Sequence, residues 1–358
     1  MINRILITVP TLEGGGMERA ALNFAIALKE KGFLVKIFTV SNDKVYFDIP
    51  NGIEIIHGKK RTKDIYLIPI SLYKLRKLAK SFQPNIVLSF SGKISPYIIL
   101  ALVGVKTSTV PFHRSSPYVT YGKLNNILSS LLYPKCKSIV VQTSEAKSIF
   151  EDKFQNKNVI VVPNPIRKLN IDKNTEKQKI IINVSRLVKG KGLDNLIEIF
   201  YSIGDKDWNL YILGDGCMRQ SLEDLVVKLN IQDKVKFLGF QKNVDYYLSK
   251  SSIFAFTSES EGFPNSLLEA MCAGVACVSF DCPTGPSEMI INGKNGFLIE
   301  MGNNKEFSEK LEKLMNNEDL RNKFSIEAKK LNDYHNPEVI MSKFISDLQK
   351  RDVIGDYI

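Results

Sequence analysis

IFAFTSESEGFPNSLLEA, residues 253–270, passes from an apolar strand through a polar loop into a helix. Ile253–Thr257 has no polar residue alternating with its apolar ones, which predicts a strand covered on both faces. Ser258–Pro264 is the loop, and Asn265–Ala273 reads as the helix. A strand that hands over to a helix in this way is half of a βαβ unit, and the same alternation extends in both directions. Val275–Phe280 is the next strand. Upstream lie the strands Lys179–Val184, Asn209–Leu213 and Val235–Leu238, with helices Gly192–Ser202 and Met218–Leu229 between them. Helices at Asn304–Met315 and Asp319–Leu331 follow. The first half repeats the pattern with strands Arg4–Val9, Leu34–Val40, Asn85–Phe90, Thr107–Pro111, Lys137–Gln142 and Asn158–Val162, and helices Met17–Lys31 and Ile65–Phe82. The expected fold class is therefore α/β, with two Rossmann-like doubly wound domains and a ligand cleft between them.

Two domains also fit the length, because 358 residues exceed what a single core usually organises, about 250–300. Pro163-Asn164-Pro165 interrupts the alternation, and residues 166–179 have the Lys-, Asn- and Thr-rich composition of a linker. This gives a first domain at 1–165, a second at 166–335 and a last helix within 336–358. Asn336-Pro337 is an N-cap and first-turn pair for that helix, whose apolar face is Ile340, Met341, Phe344, Ile345 and Leu348. Hydrophobic residues make up 44% and charged residues 24%, which excludes a disordered, collagenous or coiled-coil chain. The longest apolar run, Pro96–Val105, is half of the roughly 20 residues a membrane helix needs. Five cysteines without metal-ligand spacing are expected to be reduced thiols of a cytoplasmic protein.

Charge is placed unevenly. Residues 1–170 hold 25 Lys and Arg against 10 Asp and Glu, whereas residues 171–358 hold 24 against 28. Eighty residues between Asp64 and Glu145 carry ten basic side chains and no carboxylate. A one-sided field of this kind recruits a polyanion: nucleic acid, anionic lipid or a diphosphate. Neither a helix-turn-helix nor an RNA-recognition signature is present, so nucleic acid is the reading from another class and not the expected partner. No P-loop, dinucleotide fingerprint, zinc-protease or nucleophile-elbow motif occurs. Three histidines make a polyhistidine metal site unexpected.

Four groups of residues carry candidate chemistry. In the quoted loop, Glu261 and Glu269 flank Gly262, Phe263, Pro264, Asn265, Ser266 and Leu267. Gly262 admits close backbone approach, and the helix start at Asn265–Leu267 offers N–H groups to an anion. Ser266 and Glu269 also have capping-box spacing, in which the glutamate would only tie down the helix start. Arg186, Lys189 and Lys191 interleave with Gly190 and Gly192 after the strand at 179–184, where cations suit a diphosphate or form a solvated turn. Gly14-Gly15-Gly16 follows the first strand. His113 and Arg114 close a later strand of the first domain, where they would meet a sugar hydroxyl and a phosphate.

Taken in this order, the motifs resemble bacterial glycosyltransferases of family four over nearly the whole chain. Glu261 and Glu269 reproduce the family's E-x7-E element, with Gly262-Phe263-Pro264 completing its E-G-F-P start. Ser185-Arg186-Leu187 and Lys191-Gly192 match its arginine and lysine element, and Gly214-Asp215-Gly216 its G-x-G turn. Gly14–Glu18 matches the glycine-rich first loop, and Val162–Pro165 the V-P-N-P junction. One departure is Cys282-Pro283-Thr284-Gly285-Pro286-Ser287-Glu288 in place of G-G-x-x-E. It resembles the variant in members that extend lipid-linked glycans from UDP-N-acetylhexosamine or UDP-galactose.

The resemblance implies the two-Rossmann GT-B architecture, with the last helix crossing back to the first domain. It implies a retaining transfer of a hexose or N-acetylhexosamine from a UDP-sugar (UDP-GalNAc, UDP-GlcNAc or UDP-Gal) to a polyprenyl-diphosphate-linked glycan, as in O-antigen, lipopolysaccharide or other surface-polysaccharide synthesis. Arg186 and Lys191 would neutralise the donor diphosphate, Glu269 would bind the ribose diol, and Glu261 would hold sugar hydroxyls. Gly262–Asn265 would fix the sugar, and Gly15 and Gly16 would approach the phosphates. His113, or Arg114 in its place, would touch the donor sugar. No metal or cofactor is implied. Another GT-B enzyme such as a UDP-sugar epimerase is the alternative. The helix at 65–82, with Lys74, Arg76, Lys77 and Lys80 beside Leu72, Tyr73, Leu75 and Leu78, either is an ordinary packed helix with a solvated lysine face or would place the enzyme on the anionic inner face of the cell membrane.

Overall fold

The computed structural model describes residues 3–13, 16–58, 68–172 and 174–354. The chain forms two compact units, Met1–Asn164 with Pro337–Ile358, and Pro165–Asn336.

Among the described residues, the first unit is built on seven strands: β1 (Arg4–Val9), β2 (Leu34–Thr39), β3 (Glu54–His57), β4 (Ile86–Phe90), β5 (Ser108–Phe112), β6 (Ile139–Val141) and β7 (Val159–Val161). They form one parallel sheet in the order β3-β2-β1-β4-β5-β6-β7. Its helices are α1 (Gly16–Glu30), α2 (Ile68–Phe82), α3 (Ser95–Ala101), α4 (Lys123–Leu132) and α5 (Ser144–Phe154). A parallel sheet sandwiched by helices buries both faces of its strands, which is why all five residues of β4, IVLSF, are buried. The order reverses between β1 and β4, so the loops after these strands diverge and leave a crevice at the C-terminal sheet edge.

The second unit holds β8 (Gln178–Val184), β9 (Asn209–Leu213), β10 (Val235–Gly239), β11 (Ser251–Phe256), β12 (Ala276–Asp281) and β13 (Phe297–Glu300). The parallel order is β10-β9-β8-β11-β12-β13, with its switch point between β8 and β11. Around it lie α6 (Leu193–Ile203), α7 (Arg219–Lys228), α8 (Val244–Lys250), α9 (Asn265–Cys272), α10 (Pro286–Met289), α11 (Asn304–Met315), α12 (Glu318–Lys329) and α13 (Leu331–Tyr334). The last helix, α14 (Pro337–Lys350), belongs to the first unit and buries all five residues of its apolar face. Phe344 meets Phe24 of α1 edge-on at 5.6 Å and Phe112 of β5 at 5.5 Å. Such aromatic pairs add about 0.5–1.5 kcal/mol each beyond the area they bury.

Two strands, β3 and β13, and the short helices α8, α10 and α13 were not anticipated. Both strands are sheet edges of four residues. The helix expected at 65–82 begins at Ile68 among the described residues; 65–67 lie outside them. No described helix is long and apolar enough to cross a membrane.

Candidate active site

β8 delivers its chain to the switch point of the second sheet. Ser185 N donates to Leu213 O at 3.0 Å and Leu187 N to Asp215 O at 3.0 Å, fastening the turn that displays Arg186 to the G-D-G turn after β9. The glycines are there because the two backbones nearly touch. A Cβ on Gly214, whose φ is +131°, would lie 1.9 Å from Ser185 O, and one on Gly216 would lie 2.3 Å from Leu187 O. Buried Leu187 anchors the turn while Arg186 stays exposed. Gly192, in the left-handed region, would place a Cβ 2.2 Å from Thr257 O. Thr257 Oγ1 donates to Lys191 O at 3.1 Å, and Glu259 N to Gly190 O at 2.9 Å. The loops after β8 and β11 are thereby locked to each other.

Gly214→Ala is expected to cost about 3 kcal/mol, since it combines backbone strain with a clash that only a backbone shift relieves. Gly293→Ala, at φ +74° with nothing within 4 Å of the added Cβ, isolates the strain and should cost about 1 kcal/mol. Equal falls in Tm for the two variants would show that close approach at Gly214 is unimportant.

The interlocking brings Lys191 onto Glu261. Nζ and Oε1 lie 2.5 Å apart, and the two side chains are only 17% and 16% exposed. Cys282–Glu288 braces the glutamate from behind. Thr284 Oγ1 donates to Glu261 O, Glu261 N donates to Pro283 O at 3.5 Å, and a Cβ on Gly285 would meet Pro264 Cδ at 2.3 Å. The departure from G-G-x-x-E is thus a buttress whose glycine fits the proline of the E-G-F-P loop. Phe263 is buried beside His335, with 5.8 Å between ring centroids.

Glu269 does not cap its helix. Pro264 occupies the N-cap position, no side chain caps α9, and Ser266 lies in the first turn, so the capping-box reading fails. The Glu269 carboxylate instead accepts a fork from Arg167, Nε to Oε1 and Nη2 to Oε2, both at 3.0 Å. The same guanidinium donates to Asp245 at 3.1 and 2.5 Å, and Asn170 N adds a third bond to Asp245 at 2.7 Å. Burial opposes the charge on Asp245, but the bonds from Arg167 and Asn170 outweigh it and hold the carboxyl below its ordinary value. Burial also opposes the charge on Arg167, and its two acidic partners outweigh it in turn, strengthening its hold on its proton. Sequence reading missed Arg167 and Asp245 as site residues.

In the first unit, Gly16 opens α1 with nothing within 4 Å of an added Cβ; Gly14 and Gly15 lie outside the described residues. His113 sits directly after β5. Its Nε2 is 3.0 Å from Tyr133 Oη, its ring is 4.5 Å from that of Phe150, and a Cβ on Gly92 would meet it at 2.5 Å. Burial, then the charge of Lys153, push its pKa down to about 3, so the imidazole is neutral at physiological pH. Arg114 holds the V-P-N-P segment, donating to Val162 O at 3.4 Å and to Asn164 Oδ1. Of the expected residues, Lys191 and Glu261 touch, Arg186 shares the Lys191 loop, and residues 262–267 continue from Glu261. Glu269 stands in its own network with Arg167. His113 and Gly16 belong to the other unit.

This geometry coincides with two family models. Residues 14–168 match Glycosyltransferase Family 4, and residues 166–331 match Glycosyl transferases group 1. An uncharacterized glycosyltransferase of Haemophilus influenzae is 30% identical over 338 residues, covering 92% of this chain and 95% of its own. The chain belongs to glycosyltransferase family 4. A second relative of this glycosyltransferase, 30% identical over 352 residues and covering 92% of this chain and 94% of its own, is from Campylobacter jejuni. It is N-acetylgalactosamine-N,N'-diacetylbacillosaminyl-diphospho-undecaprenol 4-alpha-N-acetylgalactosaminyltransferase. In fold, the glycosyltransferase matches HepE of Anabaena, solved in complex with UDP, with a TM-score of 0.82. That likeness runs at 16% identity over 98% of this chain and 100% of HepE. The architecture is GT-B, with a parallel-sheet α/β unit in each half.

Proposed function

We propose that this glycosyltransferase moves an N-acetylhexosamine or hexose, from UDP-GalNAc, UDP-GlcNAc or UDP-Gal, to a polyprenyl-diphosphate-linked glycan at the inner face of the cell membrane, with retention at the anomeric carbon. The observation that carries the donor side is the Lys191–Glu261 contact at the switch point of the second sheet, where open α/β folds bind ligands. The similarity to the Campylobacter enzyme, whose name gives a diphospho-undecaprenol acceptor, supports the acceptor class.

In this reading the glycosidic bond breaks through an oxocarbenium-like transition state, and negative charge grows on the departing diphosphate. Lys191 and Arg186 stabilise that charge, and the first-turn N–H groups of α9 add the helix dipole. Glu261 accepts from sugar hydroxyls while the contact with Lys191 holds it in place. Glu269 accepts from the ribose diol with the lone pairs that the Arg167 fork leaves available. The leaving phosphate takes the acceptor proton, so no separate base is required. The reaction proceeds without a metal. His113 contributes as a neutral hydrogen-bonding group.

A panel of UDP- and GDP-sugars screened for protection against thermal unfolding tests the reading. One UDP-sugar should raise Tm at millimolar concentration, and the same sugar should be transferred to a synthetic polyprenyl-diphosphate glycan in the presence of EDTA. Protection by GDP-sugars alone, or conversion of the sugar to its epimer without acceptor, would overturn it.

A further inference from the structure

Helix α4 is built inside out. It buries Asn125 and Ser129 and exposes Leu124, Ile127 and Leu131 to 60%, 57% and 61%. Those three leucine and isoleucine positions follow i, i+3, i+7 spacing and form one stripe. The stripe is not a loose helix lying with the wrong face outward. Asn125 Nδ2 donates to Lys93 O at 2.8 Å and Gly92 O at 3.4 Å, and Ser129 Oγ to Asn125 Oδ1 at 3.4 Å. The polar face is therefore bonded to the turn after β4, and the apolar face is held outward.

The neighbouring elements continue the surface. α3 packs on α4, and Leu100 and Val103 at its end are 51% and 60% exposed. α2 packs on α3 in turn, with Arg76 Nη1 donating to Ala101 O and Val103 O at 2.7 Å each. Exposed lysines, Lys77 on α2 and Lys123 at the start of α4 among them, share this layer. Between Ile68 and Leu132 the sequence has no carboxylate. The nearest acidic group in the following chain, Glu145, accepts from Tyr118 Oη at 3.2 Å.

We propose that the α2–α3–α4 layer is a membrane-docking face in which the α4 stripe enters the headgroup–acyl boundary of an anionic bilayer while the lysines contact lipid phosphates. This deepens the peripheral-membrane reading above and rests on it, but assigns the insertion to α4, whereas the basic helix α2 supplies attraction. Charge complementarity selects the occupant. A second copy docked by this face would set the lysines of α2–α4 against lysines, because these three helices carry no carboxylate and the acids nearest to them in the fold lie on α5, whereas an anionic bilayer meets both the charge and the apolar ridge.

Flotation with phosphatidylcholine vesicles containing about one-third phosphatidylglycerol tests the assignment. The wild-type chain should bind at low salt and keep part of its binding at about 0.5 M salt, where electrostatic attraction is screened within a few ångströms. L124S/I127S/L131S should weaken binding about 30- to 100-fold and abolish the salt-resistant fraction. Its Tm should be unchanged, because all three side chains are exposed. K74Q/K77Q should lower affinity and flatten the salt dependence while leaving the residual binding. Sugar transfer to a short-chain, water-soluble acceptor should be the same in the triple variant and wild type. Wild-type-like vesicle binding by the triple variant would overturn the proposal, as would a wild-type dimer in sedimentation that the triple variant dissociates. Loss of vesicle binding in the triple variant, together with no donor binding by the wild type, would sink the transferase reading and leave this face standing.

Discussion

Lys191→Ala is expected to lower kcat by about 10²–10³-fold and to raise the donor KM only a few-fold. The size follows from burial. Lys191 is 17% exposed, so little water screens its charge from a diphosphate beside it, while Arg186 on the same loop is exposed and should cost less when truncated. The variant also strands Glu261, a carboxylate 16% exposed that loses the cation 2.5 Å away and then repels the incoming diphosphate. The double variant K191A/E261Q removes that repulsion and should be less impaired than the two single losses multiplied together. Steady-state kinetics on the four proteins measures the coupling. Strict multiplicativity, or an effect of Lys191→Ala confined to KM, would show that the pair does not act as a unit on the departing group.

The loop that carries Glu261 was legible because its surroundings are local. A strand, a glycine, a proline and a helix within eighteen residues announce a loop at a sheet edge, and the strand before it is apolar without alternation. For the same reason the strand read at Asn85–Phe90 is present, as Ile86–Phe90, and the five-residue face of α14 is buried as read. The edge strands were not, because Glu54–His57 is half exposed and too short for a run, and Phe297–Glu300 follows a glycine and ends in an acid. Edge strands owe their conformation to a neighbour's hydrogen bonds more than to their own pattern. The capping-box alternative for Glu269 failed on two residues of register: Pro264, and not Ser266, is the N-cap of α9. Arg167 was invisible as Glu269's partner because 102 positions separate them, and no spacing rule reaches that far. Asp245 was hidden likewise, 78 positions from the arginine it holds.

Arg167→Met is expected to lower Tm by about 5–10 °C and to raise the donor KM about tenfold with a smaller change in kcat. Breaking a buried ion pair from one side costs about 3–5 kcal/mol, and the one-third exposure of Arg167 scales this to about 2–3. The loss has a particular pH signature. In the wild-type protein Asp245 is held below its ordinary value of 3.8, so the pair contributes stability above that value and loses it as pH falls through the lower, folded-state value. Without Arg167, burial of Asp245, 7% exposed, acts against its charge and raises its pKa instead. The Tm deficit of the variant should therefore be largest near neutrality and shrink toward about pH 4, as the stranded carboxylate takes up a proton. Asp245→Asn in the Arg167→Met background should recover part of the deficit at neutral pH. Arg167→Lys keeps a cation but not the planar fork that reaches both Glu269 oxygens. It should restore much of the stability and little of the donor affinity, separating the charge that holds this corner of the fold together from the geometry that aims Glu269. A deficit that stays constant across this pH range would mean that Arg167 stabilises through packing of its stem and not through Asp245.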